Sequence, residues 1–328
     1  MKPTPIILDV DAGVDDTLAI ILALSSRSLD LRAITTVAGN VPVRVCTRNV
    51  LLTLEVLSPC FDALPVVAEG AARPLKRRPF TAKEVHGNDG IGNASHFYGR
   101  PKMRAVRDSA IEVILETAKR DSNLTLVATG PLTNVALAIA RDRATMKRLR
   151  EIVVMGGAFN GLHNTGPVAE FNFYTDPDAA DLVMHSGIPV RLIPLNVTEK
   201  CIFTPQDLDA VTFAPLRRYV QRVTHFYFAF HKRTENFTGG YLHDPLAVAA
   251  VVTPSLVKTE EGYVHVETGG KYSRGLSILF PRLNPRKEAE LPGWVKHALL
   301  HEPSVRIATS VDAESFKRKF LASIGNVR

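Results

Sequence analysis

The residues best equipped for chemistry gather first in Ile6-Ile7-Leu8-Asp9-Val10-Asp11-Ala12-Gly13-Val14-Asp15-Asp16, where four carboxylates fall within eight positions. Asp9 and Asp11 alternate with Leu8 and Val10, so they share one side at the end of a strand. Gly13 permits a tight turn, and Asp15 and Asp16 open an apolar helical run from Thr17 to Leu24. Carboxylates crowded beside a buried strand repel one another and are costly unless a cation or bound ligand compensates them. Oxygen donors of this kind suit Ca2+ or Mg2+. Helix capping and the helix dipole offer a plainer account of Asp15 and Asp16. They leave Asp9 and Asp11 unexplained.

Three further segments carry more polarity than folding demands. His86-Gly87-Asn88-Asp89-Gly90-Ile91-Gly92-Asn93 is a pliable loop rich in hydrogen-bonding groups, and taken alone reads more simply as a surface turn. In Asn164-Thr165-Gly166-Pro167-Val168-Ala169-Glu170-Phe171-Asn172, Glu170 and Asn172 face the same way if the chain is extended. A carboxylate beside an amide suits sugar hydroxyls; an ordinary polar edge is the equal alternative. In His243-Asp244-Pro245, Asp244 as a cap with Pro245 in the first turn is a sufficient structural account. Yet an imidazole beside a carboxylate is also the pairing used in acid–base chemistry. No Gly-x-Ser-x-Gly elbow, Walker-type phosphate loop or His-Glu-x-x-His zinc motif is present.

Repeated strand–helix units position these segments. Strands are expected at 6–11, 31–37, 64–68, 124–128, 151–155 and 189–195, with helices at 15–26, 43–57, 110–120, 133–141 and 176–186 between them. Continuous apolar strands separated by helices predict an α/β fold: a mainly parallel sheet with helices on both faces, doubly wound and Rossmann-like. Ligands then bind outside the carboxyl ends of the strands, which collects Asp11, Asn40, Thr129, Met155 and Asn196 on one edge. Residues 70–108 and 158–174 read as long loops, of a length that is usually functional. The last third predicts an aromatic-rich helix at 215–232, a helix at 244–252, strands at 262–267, 275–280 and 305–310, and a helix at 313–321. With no internal repeat or linker, residues 1–328 read as one domain.

Composition narrows the class. Of 328 residues, 45% are apolar and 22% charged, ordinary for a chain with a large core. The formal charge of +7 is scattered. Its densest clusters, Arg73-Pro74-Leu75-Lys76-Arg77-Arg78-Pro79 and Lys317-Arg318-Lys319, read as a solvated loop and a solvated helix face, and no nucleic-acid partner is expected. Cys46, Cys60 and Cys201 are too far apart for a metal or disulfide framework, which fits a reducing compartment. A strand from about residue 5 leaves no place for a signal peptide, and no apolar run is long enough to cross a membrane. A cytoplasmic location is expected.

Taken together, the segments resemble the nucleoside hydrolase family of the inosine–uridine-preferring type. Asp9-Val10-Asp11-Ala12-Gly13-Val14-Asp15-Asp16 is similar to the family's Asp-Thr-Asp-Pro-Gly-(apolar)-Asp-Asp motif, with Val10 in place of Thr and Ala12 in place of Pro. Val37-Ala38-Gly39-Asn40, the His86 loop, Thr129-Gly130-Pro131-Leu132-Thr133-Asn134, Val154-Met155-Gly156-Gly157, Ala169-Glu170-Phe171-Asn172 and His243-Asp244-Pro245 follow in the family's order. The two departures bear on turn rigidity and on support of the carboxylates.

The resemblance implies hydrolysis of the N-glycosidic bond of a ribonucleoside to ribose and free base. It implies a Ca2+ held by Asp11, Asp16, Asp244 and the main-chain carbonyl of Thr129. Asp11 would activate a water and His243 would be the general acid for the leaving base. Asp15, Asn40 and Asn172 would hold the 2′/3′ side of ribose, Asn164 and Glu170 the 5′-hydroxyl, and Met155 would pack under the sugar. His86 would sit near sugar or base, with one or two residues of 225–241 at the base, Phe226, Tyr227, Phe230 and His231 being the candidates. A homodimer or homotetramer is implied too. Two rivals remain: a haloacid-dehalogenase-like phosphatase, which also opens with Asp-x-Asp, and a nucleoside-binding relative without turnover.

Overall fold

Short apolar strands feeding amphipathic helices produce a nine-stranded sheet in the computed structural model, which describes residues 2–282, 290, 292–293 and 303–327. The strands are β1 (Thr4–Val10), β2 (Leu29–Thr36), β3 (Val66–Glu69), β4 (Thr125–Ala128), β5 (Glu151–Met155) and β6 (Val190–Ile193). A separate ladder pairs β7 (Ile202–Phe203) with β8 (Gly240–Tyr241), and β9 (Val257–Val266), β10 (Ser277–Pro281) and β11 (Val305–Val311) rejoin the main sheet. Its order is β10-β9-β11-β6-β5-β4-β1-β2-β3. From β11 to β3 every neighbouring pair is parallel; β9 runs antiparallel to β11, and β10 to β9.

The helices are α1 (Val14–Ser25), α2 (Val43–Leu57), α3 (Lys83–His86), α4 (Ala110–Arg120), α5 (Thr133–Arg141), α6 (Arg143–Met146), α7 (Phe171–Thr175), α8 (Pro177–Met184), α9 (Leu195–Thr198), α10 (Ala214–Thr234) and α11 (His243–Val252), with a C-terminal helix at Ala313–Gly325. Strand periodicity sorts them into two layers. Ile6, Leu8 and Val10 point into a core with α1, α2, α10, α11 and the C-terminal helix. Ile7, Leu126, Ile152 and Val154 point into the opposite core with α4, α5 and α8. The sheet is thus covered on both faces, as continuous apolar strands require.

This arrangement also fixes where a ligand belongs. Strand order runs outward in both directions from the β1–β4 neighbours, and in open α/β sheets the crevice at such a reversal is the binding edge. Asp11 follows β1 and Thr129 follows β4, with Thr129 N–H donating to the Asp9 carbonyl at 2.8 Å.

Four local readings need correction. Residues 171–175, expected as loop, form α7, because the Glu170 side chain accepts the Asn172 and Phe173 N–H groups and caps that turn. Glu170 and Asn172 therefore do not lie in an extended segment. Residues 195–198, expected as strand end, close into α9, and Asn196 is spent on the backbone of Phe159, donating to its carbonyl at 2.9 Å and accepting its N–H at 2.9 Å. Asp244 is not the cap of α11: the helix begins at His243, which puts the Asp244 side chain in the first turn, beside Asp15 and Asp16. The Arg-rich loop is not simply solvated, since Arg77 bonds Asp178 at 2.9 Å and also the Thr268 carbonyl.

Candidate active site

The turn after β1 brings the carboxylates together. Ala12 takes a left-handed backbone (φ 44°), held from α2 by Cys46 Sγ donating to the Asp11 carbonyl at 2.9 Å and by Asn49 Nδ2 donating to the Ala12 carbonyl at 3.3 Å. Gly39 approaches so closely that a Cβ there would collide with the Asp11 carboxylate. The following residue grips that carboxylate twice, Asn40 N–H at 2.7 Å and Asn40 Nδ2 at 3.0 Å. Asp16 accepts Gly13 N–H at 2.7 Å and Thr129 Oγ1–H at 2.7 Å. Helix capping therefore does account for part of Asp16, but not for its partners across the site.

Asp15, Asp16 and Asp244 offer carboxylate oxygens that all lie within 4.8 Å of one another. Asp11 sits beside them: burial, then the Asp16 charge, pushes its pKa well above the usual range. Burial and the surrounding aspartates do the same to Asp244. Asp15 is pushed up to about 8 by burial and by Asp16, and its Oδ1 is buried without a hydrogen-bond partner. An all-oxygen set under mutual repulsion, with an orphaned acceptor, fits a hard divalent cation. Asp9 stands behind this group. It accepts Thr35 Oγ1–H at 2.5 Å and Asn134 Nδ2–H at 2.8 Å, and burial raises it to about 7.

A cavity of about 540 Å3 opens onto the cluster. Asp11, Asp15, Asn40, His86, Thr129, Met155, Asn164, Glu170, Asn172, His243 and Asp244 all line it. Of the residues expected to hold the ion or the ribose, Asp16 does not, lying one layer deeper. Glu170 is buried and receives N–H groups from Gly157 at 2.9 Å, Asn172 at 2.9 Å and Phe173 at 3.2 Å; burial still lifts it to about 7 against them. Asn172 Nδ2 donates to the carbonyls of Thr129 at 2.8 Å and Met155 at 3.1 Å, leaving its amide oxygen for a ligand. Asn164 stands at the exposed rim, accepting Phe171 N–H at 2.9 Å.

The opposite wall holds the imidazoles of His86, His231 and His243. His86 Nδ1 accepts Val14 N–H at 3.1 Å, which puts the ring proton on Nε2. The ring stacks on Tyr227 at 5.6 Å. His243 Nδ1 meets Thr198 Oγ1 at 2.8 Å. Burial, then neighbouring imidazoles, lowers both to about 3, so both rings are neutral at neutral pH.

The description "inosine-uridine preferring nucleoside hydrolase" matches residues 6–318. The chain belongs to that family. It is 37% identical over 313 residues to the probable uridine nucleosidase 2 of Arabidopsis thaliana, covering 94% of this chain and 93% of the relative. It is 39% identical over 279 residues to the pyrimidine-specific ribonucleoside hydrolase RihA of Citrobacter koseri, covering 84% and 88%. A solved plant nucleoside hydrolase superposes with a TM-score of 0.89 at 32% identity, covering 99% of each chain. As a nucleoside hydrolase the protein is a ribonucleoside N-glycosidase, and the phosphatase alternative is not favoured.

The hydrolase cavity also holds residues that sequence reasoning underweighted. Tyr227, Phe230, His231, Glu235 and Tyr241 line it, where one or two from this segment were expected; Phe226 does not. His231 Nδ1 pairs with Glu235 Oε1 at 2.8 Å, Tyr241 OH donates to Glu235 Oε2 at 2.6 Å, and His231 Nε2 is buried without a partner. Tyr227, Phe230 and His231 are among the candidates named from sequence, whereas Glu235 and Tyr241 are not; the spacing of four that runs from Tyr227 through His231 to Glu235 at the C-cap of α10 is the signal for Glu235. Phe80 and Phe171, 6.0 Å apart at the rim, had no such signal.

Proposed function

We propose that this nucleoside hydrolase is Ca2+-dependent and cleaves ribonucleosides to ribose and free base through an oxocarbenium-like transition state. One observation carries the reading: oxygen ligands and sugar-binding groups meet neutral imidazoles across one cavity of nucleoside size. Asp11, Asp16, Asp244 and the Thr129 carbonyl would hold the ion. When bound, Ca2+ supplies a Lewis-acid centre that acidifies a water and orients the ribose diol.

The chain's own groups do the rest. Asp11, held by two Asn40 donors, takes the proton of the attacking water. Asp15 accepts from the ribose 2′/3′ side through its unpaired Oδ1, beside Asn40 and the Asn172 amide oxygen. Glu170 and Asn164 take the 5′-hydroxyl, and Met155 packs beneath the ring. The carboxylates stabilise positive charge developing on the sugar. His243, neutral before reaction, offers its ring N–H as a hydrogen-bond donor to the departing base, stabilising the negative charge that develops there while keeping its proton. His86, Tyr227 and His231 border the base. Water opposite the leaving group predicts inversion at C1′.

Both curated relatives above are named for uridine or pyrimidine ribonucleosides, which supports uridine and cytidine as substrates here and a place in nucleoside salvage or catabolism. Among the described residues no lysine or arginine lines the cavity, while Asp11, Asp15, Glu84, Glu170, Glu199, Glu235 and Asp244 do. Nucleoside 5′-monophosphates are therefore repelled. Residues 1–328 are read as one domain assembling as a homodimer or homotetramer. Free cysteines support a reducing, cytoplasmic setting, and among the described residues no helix is long and apolar enough to cross a membrane.

A reducing-sugar assay on purine and pyrimidine ribonucleosides, with and without chelator, tests the proposal. Ribose release that a chelator abolishes and Ca2+ restores is expected. A folded, metal-loaded protein releasing no ribose from any ribonucleoside would sink it.

A further inference from the structure

On the far side of α2 from the turn at Ala12, a second recess of about 420 Å3 is lined by Arg44, Arg48, Arg100 and Arg104, together with Thr47 and Glu69. Arg44 and Arg48 are four apart on α2 and so share a face, where like charges oppose helix stability. Arg100 and Arg104 come from the loop below, which is pinned by Lys102 N–H donating to Glu55 at 2.8 Å and Val106 N–H donating to the Val67 carbonyl at 2.8 Å. Among the described residues none of the four guanidiniums has a carboxylate partner. Arginines elsewhere do pair: Arg32 with Asp30, Arg77 with Asp178, Arg306 with Glu151. Glu69, the one carboxylate among the described residues of the recess, is engaged by Thr47 Oγ1 at 3.0 Å. Arg48 Nε is buried with no hydrogen-bond partner at all.

A buried guanidinium donor without an acceptor is unfavourable, and four converging cations compound it. An anion presenting several oxygens to planar forks resolves both. We propose that this recess is a binding site for a small phosphate ester, separate from the active site and independent of the hydrolase reading. Its size admits a phosphorylated metabolite, and its concavity distinguishes it from a basic stripe that tracks a polymer. It is also the chemical opposite of the active-site cavity, which among the described residues is lined by seven carboxylates and no lysine or arginine. Asp89 ties the two regions together, receiving N–H groups from Ile91, Asn93 and, beside the recess, Ser95, while its carbonyl accepts Asn49 Nδ2 from α2.

Isothermal titration with inorganic phosphate and with glycerol 3-phosphate, in chloride buffer of constant ionic strength, tests this. Saturable binding is expected for wild type, weakened about tenfold or more in Arg48→Ala/Arg104→Ala, with uridine turnover unchanged. The exposed pair Arg44→Glu/Arg100→Glu, which leaves the half-buried Arg48 in place, should lose binding altogether. Absence of saturable binding in wild type, or equal binding by wild type and Arg44→Glu/Arg100→Glu, would overturn the proposal.

Discussion

Asp11 and His243 serve opposite ends of the proposed reaction, so their removal should leave different signatures. Asp11→Ala is expected to lower kcat by about 10²–10⁴-fold on every nucleoside, as loss of a general base does. His243→Ala should weaken turnover of uridine strongly and that of 4-nitrophenyl riboside little, because a phenolate departs without needing that hydrogen bond. Equal losses on both substrates would remove His243 from the leaving-group role. Its protonation state is a separate question. Burial and the neighbouring imidazoles hold the ring near 3, so the neutral imidazole is the dominant form at neutral pH. The kcat/KM for uridine should therefore not decline between about pH 6 and pH 8. A decline that His243→Ala abolishes would show that the ring works protonated.

The turn between β1 and α1 shows how an element can depart from a family pattern without losing its carboxylates. Proline is confined to φ near −65°, whereas Ala12 sits at φ 44°. Ala12→Pro, which installs the residue of the resembled motif, should destabilise the protein and abolish activity. Ala12→Gly should raise stability by up to about 1 kcal/mol, since glycine meets no Cβ penalty at positive φ. Thermal unfolding of the two variants checks both. A tolerated proline would mean that the turn adopts another conformation. From sequence Ala12 bears on turn rigidity and on support of the carboxylates and not on the sign of φ, because that sign is set by Cys46 and Asn49 reaching from α2, and no local pattern reveals it. Regular elements were legible where local signals were strong: α2, α4 and β5 fall at the expected bounds. Most of the cavity wall was legible too, through motif order. α7 was not, because its start depends on the Glu170 side chain. The α10 wall was legible only in part: Tyr227, Phe230 and His231 line the cavity and Phe226 does not, because an aromatic-rich helix face looks alike whether it meets a core or a cavity.

Across the whole molecule, the buried acids couple stability to pH. Asp15 near 8 and Asp9 near 7 bind protons more tightly folded than unfolded, where a carboxyl titrates near 4. Their contribution is complete below that unfolded value and is lost as pH rises through 7 to 8. His86 and His243, lowered from 6.5 to about 3, act the other way: their contribution is present above 6.5 and is lost as pH falls toward 3. The two trends oppose each other at acid pH, so the carboxylate effect shows cleanly above about 6.5. In chelator, Tm should fall between about pH 6.5 and 8.5, and excess Ca2+ should restore more of it at the upper end. A chelated Tm that rises over that interval would contradict the buried-acid account.

The position of β11 between β6 and β9 has a consequence for biosynthesis. During translation β6 has one neighbour, β5, and an open flank until residues 305–311 emerge, although Val190, Leu192 and Ile193 are already there to be buried. The antiparallel pair β9–β10 has no attachment to the main sheet until then. A nascent chain thus carries an adhesive, unpaired edge for more than a hundred residues of synthesis, a demand that falls on chaperones rather than on catalysis. A chain stopped after residue 304 should accumulate as aggregate even though every residue proposed for the active site is present.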